Sequence, residues 1–200
     1  MKHLCALVTL SSFTLLAFGL WIPAKALVAQ ELLALAWAES QARQQPVRPW
    51  PWADTWPVAR LALPRGEDNP QSWHSFIVLD GAHGESLAFG PGQVFGGGSQ
   101  LGPTVIAGHR DTHFSPLKHI ETGQEIRLQN RDGQWHSYRV NRTRVVDSRD
   151  EMINVKRLPE DALILITCFP FNGLQANGPL RYVVEARATS GNQVATVVDH

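Results

Sequence analysis

The chain is short of charge and of sulfur. Its 200 residues carry 18 basic and 18 acidic side chains, 18% of the total against about 25% in an ordinary globular protein, and the formal net charge is zero. Neither a basic stripe nor a polybasic tail is present. The electrostatic footprint of nucleic-acid binding is therefore lacking, and no nucleic acid is expected as a partner. Cysteine is limited to Cys5 and Cys168, too few for a disulfide scaffold. The sequence has no glycine-rich phosphate loop, no paired carboxylates and no Cys/His cluster with metal-ligand spacing, so nothing implies a cofactor or a metal. What it does have is 44% hydrophobic residues, enough to fill a core. Its 16 Gly and 13 Pro exceed the average combined share of about 12%, which suits short strands joined by turns better than a helical bundle.

One stretch has no charge at all. From Leu4 to Ile22 run 19 uncharged residues, bounded by Lys2 and Pro23. As a helix they extend roughly 28 Å at about 1.5 Å per residue, close to the thickness of a bilayer core. Residues 1–23 thus read as a single-pass membrane anchor in contact with lipid. Ala24-Lys25-Ala26 resembles a small-x-small cleavage site, which keeps a signal peptide as the alternative, although such apolar cores usually run about 7 to 15 residues. The N-terminal amine and Lys2 against Lys25 give a slight positive-inside bias, favouring a cytoplasmic N-terminus. Residues 24–57 read as a tether. Ala24 to Arg43, rich in Ala, Leu, Glu and Gln, predicts a spacer helix. Pro46, Pro49, Pro51 and Pro57 then interleave with Trp50, Trp52 and Trp56. That composition favours a stiff extended linker, with indoles suited to dock on a domain or at a lipid interface.

From residue 58 the apolar runs become short and rich in β-branched residues, predicting a mainly β domain over residues 58–190 and a tail at 191–200. The runs are Arg60–Leu63, Phe76–Leu79, Ser86–Phe89, Thr104–Ala107, Glu125–Leu128, Gln134–Val140, Thr143–Val146, Ala162–Thr167 and Tyr182–Ala186. Turn signals at Asp80-Gly81, Gly96-Gly97-Gly98, Gly102-Pro103, Asp132-Gly133 and Asn177-Gly178-Pro179 separate them, as in a small antiparallel or mixed barrel. Ala162 to Ile166 is apolar without alternation, as in a strand buried on both faces, so Cys168 stands at the edge of a rigid element.

With Cys5 in the anchor, Cys168 has no intramolecular partner. Free cysteine is most often a small buried hydrophobe. A cysteine ending a core strand and followed by Phe169-Pro170-Phe171-Asn172-Gly173, however, lies at a strand-to-loop boundary, where sites are built. A thiol nucleophile needs a group that holds the thiolate or takes its proton, usually histidine. Of eight histidines, His109 closes the run Thr104–Gly108 and so also stands at a strand end. His113, four residues on, would pair with it as a metal ligand on a helix, but the strand-like run before and Pro116 after rank that reading below catalysis. His74, His83, His119 and His136 fall in loop or polar settings. Arg181 opens the last strand 13 residues after Cys168 and offers a charge for a developing oxyanion, although a surface arginine at a strand start is the commoner fate.

Three segments, Thr104-Val-Ile-Ala-Gly-His109-Arg-Asp-Thr-His-Phe114-Ser-Pro-Leu117, Leu165-Ile-Thr167-Cys168 and Arg181-Tyr-Val-Val184, resemble in order the signatures of the sortase family of cysteine transpeptidases. The likeness extends from about residue 58 to residue 186. It implies a small closed β-barrel of about eight strands with short helices behind the N-terminal helix, and His109, Cys168 and Arg181 as catalytic residues. Anchor and Pro-Trp segment look like the proteobacterial branch often called class GN, which puts the catalytic domain in the periplasm beside the inner membrane. The family strand usually reads Thr-Leu-x-Thr-Cys; Ile164 takes its first position here and is expected to point away from the nucleophile. The implied reaction cleaves an LPxTG-like C-terminal sorting motif of a secreted protein between Thr and Gly through a Cys168 thioester, and passes the acyl group to an amine. Residues of the segment 147–161, namely Met152, Ile153, Val155 and Leu158, are expected to line the substrate groove, with Thr167 as a further substrate-binding residue.

Rival classes remain open. An L,D-transpeptidase uses a Cys in a Ser-His-Gly-Cys context, which Ile166-Thr167-Cys168-Phe169 does not match. A thiol peptidase differs by one step, and a tethered β-barrel binding module would hold an inert Cys168.

Overall fold

The computed structural model of the chain describes residues 2–65, 72–84, 86–96, 102–173 and 178–189. The tail at 191–200, the glycines Gly97 and Gly98 and the turn residue Asn177 lie outside these. A long helix, α1 (Lys2–Arg43), precedes eight strands: β1 (Pro57–Pro64), β2 (Trp73–Asp80), β3 (Gly92–Phe95), β4 (Thr104–Ala107), β5 (Glu125–Gln129), β6 (Trp135–Asp147), β7 (Ala162–Cys168) and β8 (Leu180–Ala188). They close into a barrel in the order β1-β2-β3-β4-β7-β8-β6-β5. The parallel pairs are β2 with β3 and β4 with β7.

Two expectations change and one strand is additional to them. Ser86–Phe89, expected as a strand, is a one-turn helix, α2, because a run with only three apolar residues fits a helical turn as readily as a strand. Gln134–Val140 and Thr143–Val146 are one strand, β6, bent by a register shift between Val140 and Arg142. Strand β3, with glycine and proline at its start, gave no periodic signal. The Asp132-Gly133 hairpin joins β5 to β6 as expected: Gly133 has φ +84°, a region that favours glycine, and the Asn130 N–H donates to the Gln134 carbonyl.

The barrel wall separates two apolar clusters. Inside lie Leu61, Leu63, Val78, Ile106, Ile126, Val140, Leu163, Leu165, Val184 and Ala186, closed at one end by Phe114 and Leu117. On the outer face of β4, β7, β8 and β6 sit Val105, Ala162, Ile164, Val183 and Val146, partly covered by Ile153, Val155, Leu158 and Ile166. Strand β7 is thus buried on both faces, as its unbroken apolar run requires.

The tether packs on the barrel. Helix α1 runs unbroken through Pro23, which forgoes one N–H bond between Ala- and Leu-rich flanks. Its second half docks on the barrel through buried Ala29, Leu33, Ala36, Trp37 and Ser40. The Gln30 amide donates to the Phe89 carbonyl at 2.8 Å and the Gln44 amide to the Arg131 carbonyl at 3.1 Å. The Pro-Trp segment is laid along the surface: Thr55 Oγ1 donates to the Asp80 carbonyl at 2.8 Å, and the rings of Trp50 and Phe89 meet edge to face at 5.1 Å. Trp52 is exposed. By length and composition α1 is apolar enough to cross a membrane.

Candidate active site

Three strand ends meet at one rim of the barrel. Strands β7 and β8 are antiparallel with Cys168 directly opposite Arg181. Strand β4 runs parallel to β7 with Ala107 beside Ile166, and the Gly108 N–H donates to the Ile166 carbonyl at 3.1 Å, so His109 leaves β4 level with the end of β7. Side chains alternate along a strand. Ile164, Ile166 and Cys168 therefore share one face of β7, Arg181 and Val183 one face of β8, and Val105 and Ala107 the matching face of β4. That face is the outer one, carrying the second apolar cluster. Ile164 does not point away from the nucleophile, as expected from the sequence; it lies on the same face, two alternations down the strand.

The trio differs in accessibility: Cys168 and Arg181 are half-buried and His109 is exposed. The Arg181 guanidinium is aimed by its own strand end, where Nη1 donates to the carbonyls of Gly178 at 2.6 Å and Leu180 at 2.9 Å. Among the described residues its Nε and Nη2 hydrogens have no hydrogen-bond partner. Nearby, hydrogen bonds from the Arg149 side chain and backbone hold the Asp147 carboxyl down to about 2, and the charge of Arg181 adds to the effect. Burial pushes the His113 imidazole below its usual value, and the charge of His109 pushes it further. The edge of His113 also meets Phe76 at 6.0 Å. His74 and His136, expected in loop or polar settings, lie on β2 and β6.

The turn after His109 is built around a buried ring. The His109 carbonyl accepts the N–H of Phe114 at 3.0 Å and of Thr112 at 3.4 Å, folding the chain back so that Phe114 enters the barrel end. A Cβ at Gly108 would stand 2.9 Å from two atoms of that ring, so the residue before His109 is glycine for reasons of space.

The groove residues divide. Ile153, Val155 and Leu158 are partly buried against the outer cluster and flank the face that bears Cys168, whereas Met152 is 88% exposed. Thr167, expected to touch substrate, is 2% exposed and turned inward, with Oγ1 donating to the Gly108 carbonyl at 2.8 Å. It ties β7 to β4 just behind the candidate nucleophile and its histidine. Sequence reasoning missed Arg110, which is buried and donates to the carbonyls of Pro170 and Gly173. Its only sequence signal was adjacency to His109.

Comparison with known proteins bears on the family and the fold. The sortase domain profile matches residues 70–189, and the chain belongs to the sortase family. Sortase D of Bacillus subtilis is 36% identical over 83 residues, 42% of this chain and 41% of that protein, so the match spans about two fifths of the curated relative. Among solved structures, Sortase A from Corynebacterium diphtheriae superposes with a TM-score of 0.56 at 21% identity, over 71% of this chain and 65% of that one. The Clostridium perfringens Sortase D5 transpeptidase gives 0.56 at 17% identity, over 82% and 99%. Sortase C-1 from Actinomyces oris gives 0.53 at 25% identity, over 68% and 74%.

Proposed function

We propose that this chain is a membrane-anchored cysteine transpeptidase that cleaves an LPxTG-like sorting motif between Thr and Gly and transfers the acyl group to an amine. The observation that supports it most directly is the register putting Cys168 opposite Arg181 on adjacent strand ends, with His109 leaving the next strand at the same level. An extended peptide lies along the apolar cluster, flanked by Ile153, Val155 and Leu158, with its scissile carbonyl at Cys168. Sγ of the thiolate attacks that carbonyl, and the remaining N–H donors of Arg181 face the oxyanion. Collapse breaks the C–N bond as His109 gives its proton to the departing amine, leaving an acyl thioester. An incoming amine loses a proton to His109, attacks the thioester and expels the thiolate.

The substrate in this reading is a secreted protein carrying its motif near the C-terminus. Helix α1 spans the inner membrane once with the N-terminus in the cytoplasm, and the barrel faces the periplasm. Fractionation tests this placement: release of full-length protein by carbonate, or a mature soluble form, overturns it. The chemistry is tested by mass spectrometry of purified protein incubated with a Leu-Pro-x-Thr-Gly peptide. An acyl adduct on Cys168, lost in Cys168→Ala, is expected; no adduct alongside inert alkylation behaviour of Cys168 would make the barrel a binding module. Product analysis with and without an amine acceptor separates transfer from hydrolysis.

A further inference from the structure

Arg110 is 7% exposed, a rare state for an arginine, since a guanidinium withdrawn from water must be met by acceptors. Its acidic neighbour does not account for that burial. Asp111 is 69% exposed and approaches Nε only at 3.3 Å, the weak geometry of a surface pair. The stronger contacts lie elsewhere: Nη1 donates to the Pro170 carbonyl at 2.7 Å, and Nη2 donates to the Gly173 carbonyl. Both acceptors belong to the loop that begins one residue after Cys168. A Cβ at Gly173 would stand 3.2 Å from Nη1 and 3.0 Å from the Pro170 ring, so glycine is what lets that carbonyl approach the fork.

Arg110 is joined to His109 by one peptide bond and, among the described residues, to the Cys168 loop by two hydrogen bonds. Thr167 Oγ1 on the Gly108 carbonyl and the Gly108 N–H on the Ile166 carbonyl tie the same two segments on the strand side. The segment carrying His109 is thus fixed to the segment carrying Cys168 at two places, one before each residue and one after. We propose that Arg110 is a positioning residue that sets His109 relative to Cys168 by clamping the loop after the nucleophile. This rests on the assignment of those two residues given above. Lysine cannot reproduce the clamp, because a single ammonium on a flexible stem does not present two fixed donors to carbonyls three residues apart.

The test uses the full-length protein and variants Arg110→Gln and Arg110→Lys, with His109→Ala as reference. The first measurement is the rate of iodoacetamide alkylation of Cys168 across pH, which needs no peptide. The second is kcat and KM for peptide acyl transfer, taken well below the melting point of each variant. In Arg110→Gln the alkylation profile should move toward that of His109→Ala, and kcat should fall about tenfold or more with KM within about twofold, as expected when a catalytic group is misplaced by a fraction of an ångström. Arg110→Lys should fall between. An unchanged alkylation profile in folded Arg110→Gln overturns the proposal, as does a wild-type profile that already coincides with that of His109→Ala. Were no peptide turned over by the wild type, the proposed activity would fail while the alkylation profiles still decided the role of Arg110.

Discussion

Arg181 is the side chain whose replacement discriminates best, because it stands opposite Cys168 with its Nη1 committed to two local carbonyls while its other donors have no partner among the described residues. Arg181→Lys keeps the charge but loses the planar fork. In the proposed reaction kcat for acyl transfer should drop roughly 100-fold with the thermal melt unchanged, and turnover near wild type would leave a Cys168 and His109 dyad. His113 carries a different prediction. Burial and then His109 lower its proton affinity in the folded chain, so the unfolded chain binds the proton more tightly below the ordinary value of 6.5. Its contribution to stability is complete above that value and declines as pH falls through it toward the folded pKa. Melting wild type and His113→Gln at about pH 7.5 and about pH 5 should show the difference in midpoint shifting against the wild type at the acid value.

Strand β7 shows what an element contributes beyond its residues. Thr167→Val is nearly isosteric but removes the hydroxyl that satisfies the Gly108 carbonyl, and should cost about 1–3 kcal/mol in denaturant unfolding. The unbroken apolar run of this strand was legible in the sequence because burial on both faces leaves no polar position. So were β4, β8 and the Asp132-Gly133 hairpin, and with them the three strand ends that bear His109, Cys168 and Arg181. Where the reading failed, a short pattern had two physical solutions. The four residues Ser86–Phe89, three of them apolar, made a helical turn, and the polar break at Asn141 made a bend in β6 rather than a loop. Thr167 and Arg110 could not be read at all, since a hydroxyl or guanidinium looks the same in sequence whether it faces solvent or a carbonyl brought from 59 or 60 residues away.

On the scale of the molecule, the helix buries part of one face against the barrel. Leu33 is fully buried on the barrel-facing side of α1, and Leu33→Ala should lower unfolding free energy by about 3 kcal/mol, measured by denaturant titration of the full chain. A loss below about 0.5 kcal/mol, as for an ordinary surface position, would mean that α1 does not dock. The closure of the barrel, from β5 back to β1, has a further result. A sheet with open sides can recruit a peptide as one more strand and read it through backbone hydrogen bonds that are blind to sequence. This sheet has no outermost strand to offer. In the proposed reaction a peptide lying across β4, β7 and β8 would have to be discriminated by side-chain shape and by loop groups, which would put partner choice in the stretch from Ser148 to Asp161, where the sequence can diverge without disturbing the wall beneath.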